Sequence, residues 1–386
     1  MTPMLKDRER KFQILRDSMF SLSFDMGGLI AGGLLESFSG LALRTGWSIA
    51  LYPIVLTGRG ALNGIEAARI STGLHLGTVK PTFRGNTKYY YSILASMVTL
   101  SLLMSLLMGS LAFIFSGATL EELPIILSTA ISSQTIAIIL IVPATSLAGH
   151  ESFKRGLDPD AVVYPISSTV ADIWATISYI IALTIAFGPS IINHIIASAT
   201  VIFTLLVIVI FSREEEFRRT IRESFPTVAS VTLISSISGF SLSSARKRIE
   251  ETPGILTIYP AIIDTLGDCG AIFGSTSTTK LFTGLMEPSL SEISSRINEL
   301  AQIWVAGLIY YFLYAIIGFS VGGSLRSFAI PLLVYSILFP LISLFTFSLA
   351  IVAFRKGLNP DNFIIPLETT MTDTITTVML SAILSV

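Results

Sequence analysis

The chain has 386 residues, 52% of them hydrophobic and only 13% charged, with a net charge of −1 and a mean hydropathy of +0.74. Soluble domains carry about 25% charged residues, so this chain cannot cover a water-soluble surface, and its balanced charge gives no electrostatic case for nucleic acid. The single cysteine, Cys269, excludes an internal disulfide and any zinc or iron–sulfur site built from several thiolates.

In chain order, residues 1–17 are charged and end without a small-residue cleavage motif, so they read as a cytoplasmic lead-in and not a signal peptide. Apolar segments long enough to cross a bilayer, about 20 residues each, follow near 19–43, 46–76, 89–116, 122–148 and 161–187. The plainest is IINHIIASATVIFTLLVIVIF at 191–211, followed by the polar stretch SREEEFRRTIRESF, expected as a cytoplasmic loop. Further segments lie near 227–245, 253–284, 299–322, 328–354 and 361–386. The fold class is therefore an all-α polytopic membrane protein of about eleven transmembrane helices. With the N-terminus cytoplasmic, most Lys and Arg fall inside, leaving Arg44, Arg246, Lys247, Arg248 and Arg326 outside. The positive-inside rule then places the C-terminus outside a cell (plasma) membrane.

Two segment pairs resemble each other. KRGLDPDAVVYPISSTVADI at 154–173 matches RKGLNPDNFIIPLETTMTDT at 355–374, an offset of 201. LYPIVLTGRGALNGIEAARISTGLHLG at 51–77 matches IYPAIIDTLGDCGAIFGSTSTTKLFTG at 258–284, an offset of 207. The order implies two five-helix repeats in parallel, related by a pseudo-two-fold along the membrane normal. The first is expected within 1–187, the second within 226–386, with 188–225 as the linking helix and loop.

Charge within a bilayer costs about 2.5–3.5 kcal/mol for Asp at a helix centre, yet Asp25, Glu36, Glu66, Asp172, Asp264, Asp268, Glu368 and Asp373 lie in apolar segments, opposed by Arg59 and Arg69. An excess of acids points to an imported cation. Asp172 and Asp373 are repeat equivalents, about 18 Å along the helix from the Pro-Asp that opens it, near the midplane. Ser168 and Thr169 share a face with Asp172, as Thr369 and Thr370 do with Asp373. Carboxylates and hydroxyls together suit a hard cation; the alternative is a structural hydrogen bond or salt bridge.

The Gly-rich runs GRGALNG at 58–64 and TLGDCGAIFG at 265–274 weaken a helix and are expected to line the pathway. There they would offer carbonyls, Asn63 and Asp268 as oxygen ligands; tight packing through small residues is the competing reading. Gly27, Gly28, Gly32 and Gly33 read as a packing face, with Asp25 and Glu36 at its ends, serving either a cation mouth or the interface. Glu66 and Arg69, three apart, read as an intrahelical pair. The histidines form no metal-ligating pair, so the oxygen-only donor set suits Mg2+, Ca2+ or Mn2+.

The pattern Pro-x-x-x-x-Gly-x-Gly-x-x-Asn in the second span and Pro-Ile-x-[Ser/Thr]-Thr-x-x-Asp in the fifth resemble the membrane domain of MgtE-type magnesium transporters. The tandem repeat and the runs ARISTGLHLG and STSTTKLFTG resemble the two-repeat branch, solute-carrier family 41 and its prokaryotic relatives. That resemblance implies a non-enzymatic protein moving a divalent cation, first Mg2+ and then Mn2+, Co2+ or Ca2+, by a channel or by exchange with Na+ or H+. It implies one central pathway between the repeats, with Asp172 and Asp373 binding the ion; two repeats in one chain could complete it as a monomer, and a higher oligomer stays open. The family's Gly-Gly-Asn element falls on Gly267-Asp268 in repeat two and on Gly60-Ala61 in repeat one, where the side-chain ligand is lost. Asp264 and Glu368 join Asp25 and Glu36 as further pathway or mouth candidates. The family's cytoplasmic CBS regulatory region has no counterpart in this sequence. Two other classes compete. A proton- or sodium-coupled transporter of a small organic solute would use the acids as a relay. An intramembrane aspartyl protease would need a Gly-x-Gly-Asp motif, which Thr265-Leu266-Gly267-Asp268 narrowly misses.

Overall fold

The computed structural model describes residues 12–155, 159–356 and 360–385, without the side chains of 159–168 and 360–367. The side chain of Ser168, residues 156–158 and 357–359 of the two Gly-Leu-[Asp/Asn]-Pro-Asp runs, and most of the N-terminal lead-in therefore lie outside what is described. The elements are α1 (Gln13–Leu22), a 3-10 turn (Phe24–Met26), α2 (Gly27–Ser37), α3 (Ser39–Ala42), α4 (Gly46–His75), α5 (Lys88–Ser116), α6 (Leu123–Lys154) and α7 (Pro159–Phe187). They continue with α8 (Ile191–Phe211), α9 (Glu215–Glu250), α10 (Ile255–Phe282), α11 (Ile297–Gly322), α12 (Leu325–Lys356) and α13 (Pro360–Ser385).

Among the described residues there is no strand, and 9 helical stretches are long and apolar enough to cross a membrane. Two more, α4 with 30 residues and α13 with 26, have the length. Arg59, Glu66 and Arg69 lower the hydropathy of α4, but 20 of its residues are buried by its neighbours. The chain is a multi-pass, all-α membrane protein.

Three local features depart from expectation. The first span is not one helix: it breaks at the 3-10 turn that carries Asp25. The polar stretch expected as a loop is helical from Glu215. There Glu215 and Glu216 complement the helix dipole, and Arg219 donates to Glu223 one turn on at 2.9 Å. The Gly-rich runs do not interrupt α4 or α10, so their carbonyls are engaged within helices and are not offered as ligands. Each glycine costs about 1 kcal/mol relative to Ala, a cost that packing over the full helix length outweighs.

The chain forms two compact units, residues 37–246 and residues 1–36 with 247–386. In the first, α4 packs against α5, α6 and α7. Tyr52 OH bonds Thr176 Oγ1 at 3.1 Å, and Tyr179 donates to the Ser48 carbonyl. Helix α9 crosses α4 so closely that a Cβ on Gly239 would stand 2.3 Å from Ala50 O. In the second unit, α10 packs against α11, α12 and α13, and Tyr259 OH bonds Thr377 Oγ1 at 2.9 Å. Here α1 and α2 supply the crossing helix: a Cβ on Gly32 would stand 2.0 Å from Thr257 O.

The equivalences are systematic. Tyr52 and Tyr259, Ala50 and Thr257, and Gly239 and Gly32 are each separated by the 207-residue offset, while Thr176 and Thr377 keep the 201 offset. Helices α1 and α2, before α4 in sequence, pack on α10, and α9, which precedes α10, packs on α4.

Candidate cation site

The unit built on α10 gathers acids from three elements. Asp264 and Asp268, four apart on α10, share a face. The 3-10 turn brings Asp25, which is 8% exposed, into hydrogen-bonding reach of Asp268 and close enough for its charge to act on Tyr310 and Tyr314 of α11. From α13 comes Glu368, 1% exposed. Its Oε1 accepts from Thr346 Oγ1 at 3.2 Å and from Thr372 Oγ1 at 3.1 Å.

Gly270 makes that placement possible, because a Cβ there would stand 2.2 Å from Glu368 Oε1. Asp373, half-buried one turn further along α13, sets its Oδ1 3.8 Å from the Cβ position of Gly267. The charges acting on Glu368 are those of Asp268 and Asp373, and among the described residues no Lys or Arg makes an ion pair with Asp268 or Glu368. Two like charges about 4 Å apart repel by about 4 kcal/mol at an effective dielectric of 20. A cation relieves that repulsion.

The unit built on α4 carries different chemistry at the same positions. Asp172 is half-buried and its backbone carbonyl accepts from Thr176 at 2.9 Å, as that of Asp373 accepts from Thr377 at 2.7 Å. Around it the acids are missing. The equivalents of Asp25, Asp268 and Glu368 are Thr232, Ala61 and Ser167, and that of Gly270 is Asn63. Thr145 donates to Asn63 Oδ1 at 2.6 Å, where its equivalent Thr346 donates to Glu368. An amide from α4 thus takes the partner that a carboxylate takes in the other unit.

The remaining candidates fall in several places. Thr169 and Thr369 are half-buried and Thr370 is buried on the helices that carry Asp172 and Asp373. Among the described residues nothing stands within 4 Å of a Cβ placed on Gly60, and at Gly267 Asp373 Oδ1 alone does so. Glu36 accepts from the Thr257 backbone N–H at 3.2 Å; it satisfies an N–H in the first turn of α10, where the helix dipole favours an anion.

Glu66 and Arg69 are not a pair. Arg69 bonds Glu216 at 2.7 Å and Glu223 at 2.9 Å on α9, while Glu66 accepts from Ser146 on α6 at 3.3 Å and faces Arg59. The spacing of seven between Arg59 and Glu66 returns to the same helix face within about 20°, which is the sequence signal for their facing each other without a direct hydrogen bond.

Among the described residues, no three His, Cys, Asp or Glu side chains close into a metal cage. An open set of carboxylates holds a hydrated ion better than a bare one, and Mg2+ keeps its waters.

The family model of the divalent cation transporter MgtE matches residues 52–182 and 259–383, more than half of the chain, with one segment in each compact unit. No curated protein and no solved structure gave a match in the corresponding comparisons.

Proposed function

As the chain belongs to the MgtE family of divalent cation transporters, we propose that the ion it carries across the cell membrane is Mg2+, bound by Asp268, Glu368 and Asp373 with Asp25 beside them and by Asp172 in the first repeat. The observation that carries this reading is the convergence of Asp25, Asp268, Glu368 and Asp373 in one unit with no ion-paired base on Asp268 or Glu368. Mg2+ is typically held through one or two carboxylates plus waters. Thr346 and Thr372 fix one Glu368 oxygen and leave the other to meet a water of the hydrated ion. Partial retention of the water shell keeps binding weak enough for release, as conduction requires. The unit built on α10 thus carries four of these acids and the unit built on α4 only Asp172. The N-terminus is cytoplasmic in this reading and one chain suffices for transport.

Calorimetric titration of Mg2+ into the purified protein tests the assignment. Glu368→Gln and Asp268→Asn are each expected to weaken binding by about tenfold or more, the loss of one charge-assisted contact of about 1.5–3 kcal/mol. Unchanged affinity in both variants would remove these carboxylates from the site.

A further inference from the structure

The unit that lacks the acidic cluster has a buried polar chain of its own. Glu66 and Arg59 on α4 and His150 on α6 are each 1% exposed. Glu66 Oε2, Arg59 Nε, Nη1 and Nη2, the Tyr90 hydroxyl and both His150 ring nitrogens have no hydrogen-bond partner among the described residues. Tyr90, at the start of α5, brings its hydroxyl towards Ser146 and Glu66, and its ring centroid is 5.6 Å from that of His150. His150 lies four residues before the end of α6, and the exposed Phe83 of the α4–α5 loop packs edge-on over it at 5.1 Å.

None of this is required by the repeat. The equivalents of Arg59, Glu66, Ser146 and His150 are Leu266, Phe273, Phe347 and Ile351, four apolar side chains. Where Ser146 donates to Glu66 at 3.3 Å, Phe273 and Phe347 stack at 5.7 Å. The same backbone frame is stable with an aromatic stack, so the carboxyl, guanidinium, hydroxyl and imidazole have been placed in one unit at the cost of burying them. Buried polar groups with unused hydrogen-bonding capacity call for an explanation, and ionisable groups within a membrane mark ion paths and proton relays.

We infer that Glu66 is a proton-binding site coupled to cation movement, reached from the aqueous end of the unit through His150, Tyr90 and Ser146. The inference rests on the divalent-cation reading and names the coupling ion for it. A proton arriving at one His150 nitrogen leaves from the other. Of the links to Glu66 only that from Ser146 is already a hydrogen bond. His150 and Tyr90 must close on their neighbours for the proton to pass along the Tyr90 and Ser146 hydroxyls, each of which accepts one proton and gives up its own, to a Glu66 carboxylate oxygen. Arg59, the opposite charge facing Glu66, balances the carboxylate when the proton leaves.

The groups packed around α4 are consistent with that role. Tyr90 comes from α5 and His150 and Ser146 from α6, while α7 carries Asp172 and Tyr179. On α9, Glu216 and Glu223 are engaged by Arg69, one turn from Glu66. Lys80, Arg84 and Lys88 lie in and just after the α4–α5 loop, and Lys154 and Arg155 at the end of α6, which is the end proposed for proton entry.

The test uses proteoliposomes of the full chain with a Mg2+ dye and a pH dye, under an imposed pH gradient at clamped potential. Coupling predicts that the steady-state Mg2+ ratio shifts by about tenfold per pH unit for each proton exchanged. In Glu66→Gln that shift disappears. The double variant Arg59→Leu, Glu66→Phe, which installs the second repeat's residues, loses it as well. Should Glu66→Gln carry no Mg2+, the decision passes to His150→Ile, whose proton movement must slow relative to its Mg2+ movement. Wild-type Mg2+ transport indifferent to the gradient, or gradient response retained in Glu66→Gln, overturns the inference while leaving cation transport intact. Failure of the wild type to move any divalent cation overturns both.

Discussion

The packing of α2 on α10 predicts opposite outcomes for two adjacent glycines. A Cβ added to Gly32 would lie 2.0 Å from Thr257 O, 2.6 Å from its carbonyl carbon and 2.7 Å from Leu256 O. These are backbone atoms in the first turn of a helix, also held by Glu36 through the Thr257 N–H, so they cannot rotate away as a side chain would. Overpacking of this kind costs about 1–3 kcal/mol. A Cβ added to Gly33 meets nothing within 4 Å, and Ala there gains up to about 1 kcal/mol of helix propensity. The propensity gain is common to both, so Gly32→Ala and Gly33→Ala should differ in stability by the overpacking cost alone, roughly 1–3 kcal/mol, Gly32→Ala being the weaker protein. Thermal unfolding of the detergent-solubilised protein, each variant against wild type, measures this. Equal midpoints for the two variants would refute the close crossing of α2 and α10.

Tyr52→Phe and Tyr259→Phe each remove one repeat-equivalent hydroxyl bond and should cost about 1 kcal/mol apiece; a clear inequality in chemical unfolding would mean the two contacts are not equivalent. Arg69→Met severs two bonds to α9, of which the one to Glu216 is well shielded and the one to Glu223 half exposed. About 1.5–3 kcal/mol is expected for Arg69→Met, with Glu223→Gln costing less than 1 kcal/mol, again by unfolding. Gly270→Ala should displace the Glu368 carboxyl and weaken Mg2+ binding in calorimetry; full affinity would mean that the position of Glu368 does not matter to the ion.

Much of the helical plan was legible in the sequence because period and length suffice for it: the segments at 191–211 and 299–322 recur almost unchanged as α8 and α11. The helix from Glu215 was not, since a charged stretch reads as loop until its i,i+4 partner and Arg69 are in place. The helical course of GRGALNG was equally hidden. Glycine weakens a helix locally, and the packing that outweighs it comes from α5, α6 and α7, remote in sequence. That Asp172 and Asp373 are equivalent, one in each unit, was evident from spacing alone. The approach of Asp25 to Asp268 was not, because it depends on the N-terminal helix crossing α10 and not α4. Asn63 read as a ligand by its place in a motif, and the hydrogen bond from Thr145 has no sequence signature. Arg59 and Glu66 were visible as charges, but that they share one helix face needed the face to be counted over seven residues.

The most direct test of cation binding by the repeat aspartates is Mg2+ flux into proteoliposomes, with Asp172→Asn and Asp373→Asn compared with wild type at matched incorporation. The account predicts that wild type carries Mg2+, that Asp373→Asn abolishes the flux, and that Asp172→Asn reduces it severely. Wild-type rates in both variants would contradict it.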